Sequence, residues 1–200
     1  MIPQYASALL ISDIHLTPSM PLTAQRFFDF CEKDAPKVEA VFILGDLFEY
    51  WVGDDVALPS PFQQEVRAAL AHLSTKVKTF YLHGNRDFLV GADFLKKTGM
   101  TLLKDPACIE IAGNQYILSH GDALCTADVG YQVFRTWVRK PWIQKLFLQL
   151  PVAWRLAIAR QLRSNSHLQG QAAYQTPSAE YRIKTNVTLD ACAALMQAHS

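Results

Sequence analysis

Residues 41–49 read Val41-Phe-Ile-Leu-Gly-Asp-Leu-Phe-Glu49: four apolar residues, then a Gly-Asp pair, then a second acid. An apolar run that stops at such a pair reads as a buried strand delivering a carboxylate to its carboxyl end. The same arrangement recurs three times. Ala6-Ser-Ala-Leu-Leu-Ile11 ends in Ser12-Asp-Ile-His15, Val77 to Leu82 ends in His83-Gly-Asn-Arg-Asp87, and Tyr116-Ile-Leu118 ends in Ser119-His-Gly-Asp122. Helical signals lie between them. Leu22 to Cys31 has helical apolar spacing, Ser60-Pro61 opens a helix reaching about His72, and a short helix closes at Gly99. Cys108-Ile-Glu-Ile111 and Tyr116-Ile-Leu118 flank Ala112 to Gln115 as a hairpin. Strands alternating with helices predict an α/β sandwich with at least one largely parallel sheet. In such sheets ligands bind beyond the carboxyl ends of the strands, so the four polar loops are expected to converge on one crevice.

The chain has 200 residues, half of them hydrophobic and 18% charged, which excludes a disordered or fibrous protein. Its net charge of +1 conceals a division. Residues 1–128 hold 10 Lys/Arg against 16 Asp/Glu, whereas residues 129–200 hold 9 against 2. The four cysteines, Cys31, Cys108, Cys125 and Cys192, form no C-x-x-C pair, and the first residues lack the pattern of a signal peptide. A reducing cytosol is the simple expectation. No apolar run reaches the length of a spanning helix, so any membrane contact is expected to be peripheral.

Asp13, His15, Asp46, Asn85 and His120 are oxygen or nitrogen donors, each following a buried strand. Asp-x-His alone is common, and an isolated Asp or His is more often a cap or a surface residue. The combination is what points to a metal centre. Mixed carboxylate, amide and imidazole donors suit Mn, Fe or Zn, and the absence of a cysteine set argues against a structural zinc site. A central Asp46 could bridge two cations about 3.5–4 Å apart, the arrangement used in phosphoryl displacement.

The ordered set Asp13-x-His15, Gly45-Asp46-x-x-Glu49, Gly84-Asn85-x-Asp87 and His120 resembles the calcineurin-like metallophosphoesterase superfamily. Longer runs, Gly45 to Asp55, His83 to Phe88, Ser119 to Asp122 and Tyr131 to Arg135, resemble its branch that acts on UDP-2,3-diacylglucosamine in lipid A biosynthesis. The resemblance implies a calcineurin-like β-sandwich flanked by helices, with a helical lid insertion. It implies two divalent ions, usually Mn2+, with Asp13 and His15 on the first, Asp46 bridging, and Asn85 and His120 on the second. The implied reaction is attack of a metal-activated hydroxide on the α-phosphorus, releasing UMP and the acylated sugar 1-phosphate. Asp46, Asn85, Arg86 and His120 would carry the catalysis, and Asp87 would orient Asn85 or His120. Arg86 stands where many members have a His; an arginine stays protonated, so it would bind phosphate oxygens rather than donate a proton.

The resemblance divides the chain into a core of residues 1–128 plus 180–200, C-terminally incomplete, and a helical insert of 129–179 that is not an independent domain. Tyr131 to Arg139, Pro141 to Leu150 and Pro151 to Arg163 read as helices, Asn165 to Ser178 as a loop or linker, and Leu189 to Ala198 as a last helix. Between Asp128 and Glu180 there are seven bases, no acid and three of the four tryptophans. The plain explanation is an amphipathic face packed on the core. The same composition suits a helix on an anionic membrane surface, and the resemblance makes the segment a lid over acyl chains at the cytoplasmic side of the inner membrane. Nucleic acid is disfavoured as a partner because the chain is not basic overall. Asp128, Tyr131, Arg163 and Ser166, together with Asn85 and Arg86, match substrate-lining positions of the resembled branch; a helix cap, a core aromatic, a surface charge and a second cap are the plain alternatives for the first four, in that order.

One feature of the resembled branch is missing. Its late Gly-His-x-His supplies one imidazole to each ion, and the six histidines here, His15, His72, His83, His120, His167 and His199, form no His-x-His pair. Each ion is therefore expected to find three protein ligands within these residues. Three outcomes stay open: hydrolysis of the nucleotide lipid, the same chemistry on a soluble nucleotide or phosphodiester, and a metal-poor chain that only binds.

Overall fold

The computed structural model describes residues 2–175 and 187–199. Contacts divide the chain into two units, Met1–His120 and Gly121–Ser200.

The first unit contains two sheets. The larger is parallel, with β2 (Ala8–Ile11), β3 (Ala40–Ile43), β4 (Lys78–Tyr81) and β5 (Thr101–Leu102) side by side in chain order. The smaller places β1 (Gln4–Tyr5) parallel to β6 (Ala107–Ile111), which pairs antiparallel with β7 (Asn114–Leu118). β1 and β5 are two-residue strands that the sequence reading did not resolve. The β6–β7 loop is tighter than expected, only Ala112-Gly113, both at positive φ as a two-residue hairpin requires.

β3 is buried along its whole length, and its alternation separates two cores. Val41 and Ile43 pack with Val66, Leu70 and Leu73 of α3 (Pro61–Lys76), whereas Ala40 and Phe42 pack with Tyr5, Ile109 and Leu118 of the smaller sheet. Phe42 stacks on Phe80 with ring centroids 5.0 Å apart, and Tyr5 meets Phe42 edge-on at 5.6 Å. Full burial of a side chain such as Phe42 contributes about 1.5–3 kcal/mol. The remaining helices of this unit are α1 (Pro21–Asp29), continued by a π-helical turn, α2 (Asp54–Ala57) and α4 (Ala92–Thr98), which closes at a left-handed Gly99. α3 runs one turn beyond the expected His72.

The register aligns the strand ends. Ile11, Ile43, Tyr81 and Leu102 stand abreast, so the segments after β2, β3 and β4 leave the sheet at the same level. The first two then zip together. Asp13 N–H donates to Gly45 O, His15 N–H to Asp46 O, and Leu16 N–H to Leu47 O.

In the second unit α5 (Val129–Val138), α6 (Pro141–Gln149) and α7 (Val152–Gln175) follow one another, and α8 (Leu189–Ala198) ends the described chain. α7 extends through most of the stretch expected to be a loop. Leu168, Gln169, Gln171, Ala172 and Ala173 are good helix formers, and their small, polar character had disguised this. Residues 176–186, including the expected boundary at 179/180, lie outside the described residues. No described helix is long and apolar enough to cross a membrane.

Candidate metal centre

Three residues at the strand ends, Asp13, His15 and Asp46, have left-handed backbones with φ between 51° and 54°. Asp and His tolerate this region better than most residues, yet each instance costs of order 1 kcal/mol and persists only where the surroundings hold it. The interlocked loops do so, and they bring Asp13 and His15 beside Asp46. Ligand atoms of Asp13, Asp46 and His120 lie within 4.8 Å of one another. His15 Nδ1 is 4.0 Å from Asp46 Oδ2, and His120 Nε2 is 3.8 Å from Asp46 Oδ1.

Two glycines leave no room for a side chain where the loops meet. A Cβ on Gly45, whose φ is +90°, would stand 2.5 Å from Gly84 Cα, and a Cβ on Gly84 would overlap Asp46 N and Oδ1. Glycine at both positions lets the loops after β3 and β4 touch through their backbones, bringing Arg86 to Asp46 and Asn85 to His120.

His120 is oriented from behind: its Nδ1 lies 2.9 Å from Leu44 O, and Asn85 N–H donates to its Nε2. Nδ1 is thereby the protonated nitrogen, and Nε2, the acceptor of the Asn85 N–H, carries the one lone pair that a cation would take over. Burial, reinforced by the charge of Arg86, lowers the pKa of His15, leaving a neutral imidazole. Its buried Nδ1 has no hydrogen-bond partner. Burial and the neighbouring Asp87 charge push Asp46 up to about 6, against the pull of the Arg86 N–H, His120 and the Arg86 guanidinium. A cation relieves each of these conditions. It satisfies the orphaned imidazole nitrogen, offsets the crowded carboxylates, and would draw in oxygen and nitrogen donors that already lie within 4.8 Å of one another. The residues present therefore fit divalent metal.

Asp87, fully buried, does not orient Asn85 or His120 as expected. Its carboxylate accepts from the backbone N–H groups of Asp46, Leu47, Phe48 and Gly84 at 2.8–3.3 Å, making it the buttress of the Asp46 loop. Glu49 is also near: its Oε1 accepts from Arg86 Nη1 at 2.6 Å. The motif contained Glu49, but nothing in the sequence identifies a partner 37 residues later. Asp54 was missed as well. It accepts from Trp51 Nε1, Gly91 N and Phe94 N, tying the loop after β3 to the start of α4.

The other candidates belong to the second unit. Asp128 caps α5 by accepting from Tyr131 N–H, the plain alternative for this residue. Tyr131 Oη donates to Asp122 Oδ2 at 2.6 Å, and Arg135 Nε donates to the same oxygen at 2.8 Å. Burial pushes Asp122 up, but these two donors and the charges of Arg135 and Arg139 outweigh it and hold its pKa below the ordinary value. Arg163 is exposed on α7; Ser166 belongs to the same helix, and its side chain lies outside the described residues.

Comparison with known proteins agrees with this chemistry. The chain is 48% identical over 171 residues to the UDP-2,3-diacylglucosamine hydrolase of Aeromonas hydrophila, covering 85% of this chain and 70% of that protein. It is 49% identical over 157 residues to that of Ralstonia nicotianae, covering 78% and 58%, and 45% identical over 161 residues to that of Escherichia coli O7:K1, covering 80% and 66%. It thus spans between 58% and 70% of the length of these three relatives. Residues 7–182 match the model of the calcineurin-like phosphoesterases, metal-dependent hydrolases of phosphorus esters. With that match across most of its length and a metal-fitting cluster at its strand ends, this chain belongs to the calcineurin-like phosphoesterase family.

Proposed function

We propose that the chain hydrolyses the pyrophosphate bond of UDP-2,3-diacylglucosamine, giving UMP and 2,3-diacylglucosamine 1-phosphate, with Mn2+ as its metal. The observation that carries this reading is the convergence of Asp13, Asp46 and His120 within 4.8 Å, with His15 and Asn85 beside them. Asp13, His15 and Asp46 would hold one ion, and Asp46, Asn85 and His120 the other. Bound there, divalent cations supply Lewis-acid charge for the phosphoryl oxygens and make water a competent nucleophile at neutral pH.

The chain's own residues supply the rest. Asp46, held by the Arg86 N–H and by the Asp87 buttress, fixes the centre of the cluster. His120 keeps its orientation through Leu44 O. As water adds to the α-phosphorus, the bond to the bridging oxygen breaks and that oxygen leaves with the sugar phosphate. A phosphate leaves as a stable anion, so it requires charge more than a proton, and the permanently charged Arg86 suits it. Asp128, Tyr131, Arg163 and Ser166 are assigned to the lining of the substrate site by the resemblance of their positions. The insert of 129–179 is assigned as a lid for the acyl chains, resting on anionic lipid at the cytoplasmic face of the inner membrane. Its Trp137, Trp142 and Trp154, each at least half exposed among basic residues, support that assignment.

The test is UMP release from UDP-2,3-diacylglucosamine in detergent micelles. Release is expected with Mn2+, is expected to stop with chelator, and should fall by about 100-fold in Asp46→Ala, which would remove the donor assigned to both ions. Protein that binds Mn2+ calorimetrically yet liberates no UMP would refute the assignment.

A further inference from the structure

We propose that Glu49 is a positioning residue that draws the Arg86 guanidinium away from Asp46 and holds it ready for phosphate; this rests on the metallophosphoesterase reading of the site.

Arg86 is restrained at three points. Its backbone N–H donates to Asp46 Oδ1 at 2.9 Å, its carbonyl accepts from Trp51 N–H at 3.1 Å, and its Nη1 donates to Glu49 Oε1 at 2.6 Å. Glu49 is anchored in turn by its own N–H to Leu16 O. The Arg86 side chain is 33% exposed and that of Glu49 only 10%, so the carboxylate forms the floor and the guanidinium the surface of the pair. Nε stands 3.6 Å from Asp46 Oδ2, beyond hydrogen-bonding distance.

This geometry is not what two groups alone would adopt. A guanidinium beside a buried carboxylate closes into a charge-assisted hydrogen bond unless another anion competes. Glu49 is that competitor. Were it absent, the guanidinium would settle on Asp46 Oδ2 and occupy a lone pair that a cation requires. With it present, Asp46 keeps that oxygen available and Arg86 offers its outer edge to a phosphate. Half-buried ion pairs add little net stability, so the position of the charge is the better explanation for the pair.

Calorimetric titrations of Mn2+, and of inorganic phosphate at saturating Mn2+, test this in the wild type, Glu49→Gln, Arg86→Ala and the double variant. Glu49→Gln keeps the volume and removes the charge; a urea unfolding midpoint verifies that each variant folds. Glu49→Gln is expected to weaken both Mn2+ and phosphate by about tenfold, as loss of an outer partner of a metal site does. Arg86→Ala should weaken phosphate while sparing Mn2+, and adding Glu49→Gln to it should change neither further. Wild-type behaviour of Glu49→Gln would overturn the proposal, as would an effect that persists without Arg86. Because the probes are Mn2+ and phosphate, the outcome does not depend on whether the nucleotide lipid is the substrate.

Discussion

At the scale of single residues, the site depends on a side chain that touches no reacting atom. Asp87 collects four backbone N–H groups in a fully buried position and so holds Asp46 in its left-handed conformation. Hydrogen bonds to a buried charge are the stronger kind, and an unmatched donor there costs its full desolvation penalty. Asp87→Asn keeps the shape but turns an NH2 toward donors. It is expected to destabilise the protein by about 2–4 kcal/mol, read as a lower urea midpoint, and to weaken Mn2+ binding measured by calorimetry.

At the scale of elements, the strand-to-loop pattern was legible because a buried run followed by a polar residue has one physical reading. The helices after Asp128 were legible in number, though the third runs to Gln175 rather than Arg163. The contact between loops was not legible. The approach of the β3 and β4 loops depends on Gly45 and Gly84, where a side chain on either would meet the other loop's backbone or Asp46. Gly84→Ala is therefore expected to push the loops apart. Calorimetric Mn2+ affinity should drop by at least about tenfold, while far-ultraviolet circular dichroism stays native because the strands themselves are unaffected.

At the scale of the whole molecule, the acidic first part contains the cluster that fits cations, and the basic second part exposes tryptophans beside lysines and arginines. Trp137 carries Lys140 over its ring at 3.9 Å and faces Trp142 edge-on. Such a surface is expected to bind vesicles containing phosphatidylglycerol, to release them as salt screens the attraction, and to ignore neutral vesicles. Co-sedimentation measures this, and Trp142→Ala with Trp154→Ala should lower binding severalfold by removing exposed apolar anchors.

The sequence by itself determined the fold class, the order of the donors and the family to which they point, because hydrophobic periodicity and the residues that follow each strand are local properties. It also marked Asp13, His15, Asp46, Asn85 and His120 by position. Only the tertiary structure decided that Asp87 supports Asp46 rather than Asn85 or His120, that Glu49 reaches Arg86, and that Asp128 caps a helix while Tyr131 binds Asp122. Those pairings join residues whose side-chain directions follow from register and left-handed backbone turns. Local composition carries no record of either until the strands lie side by side.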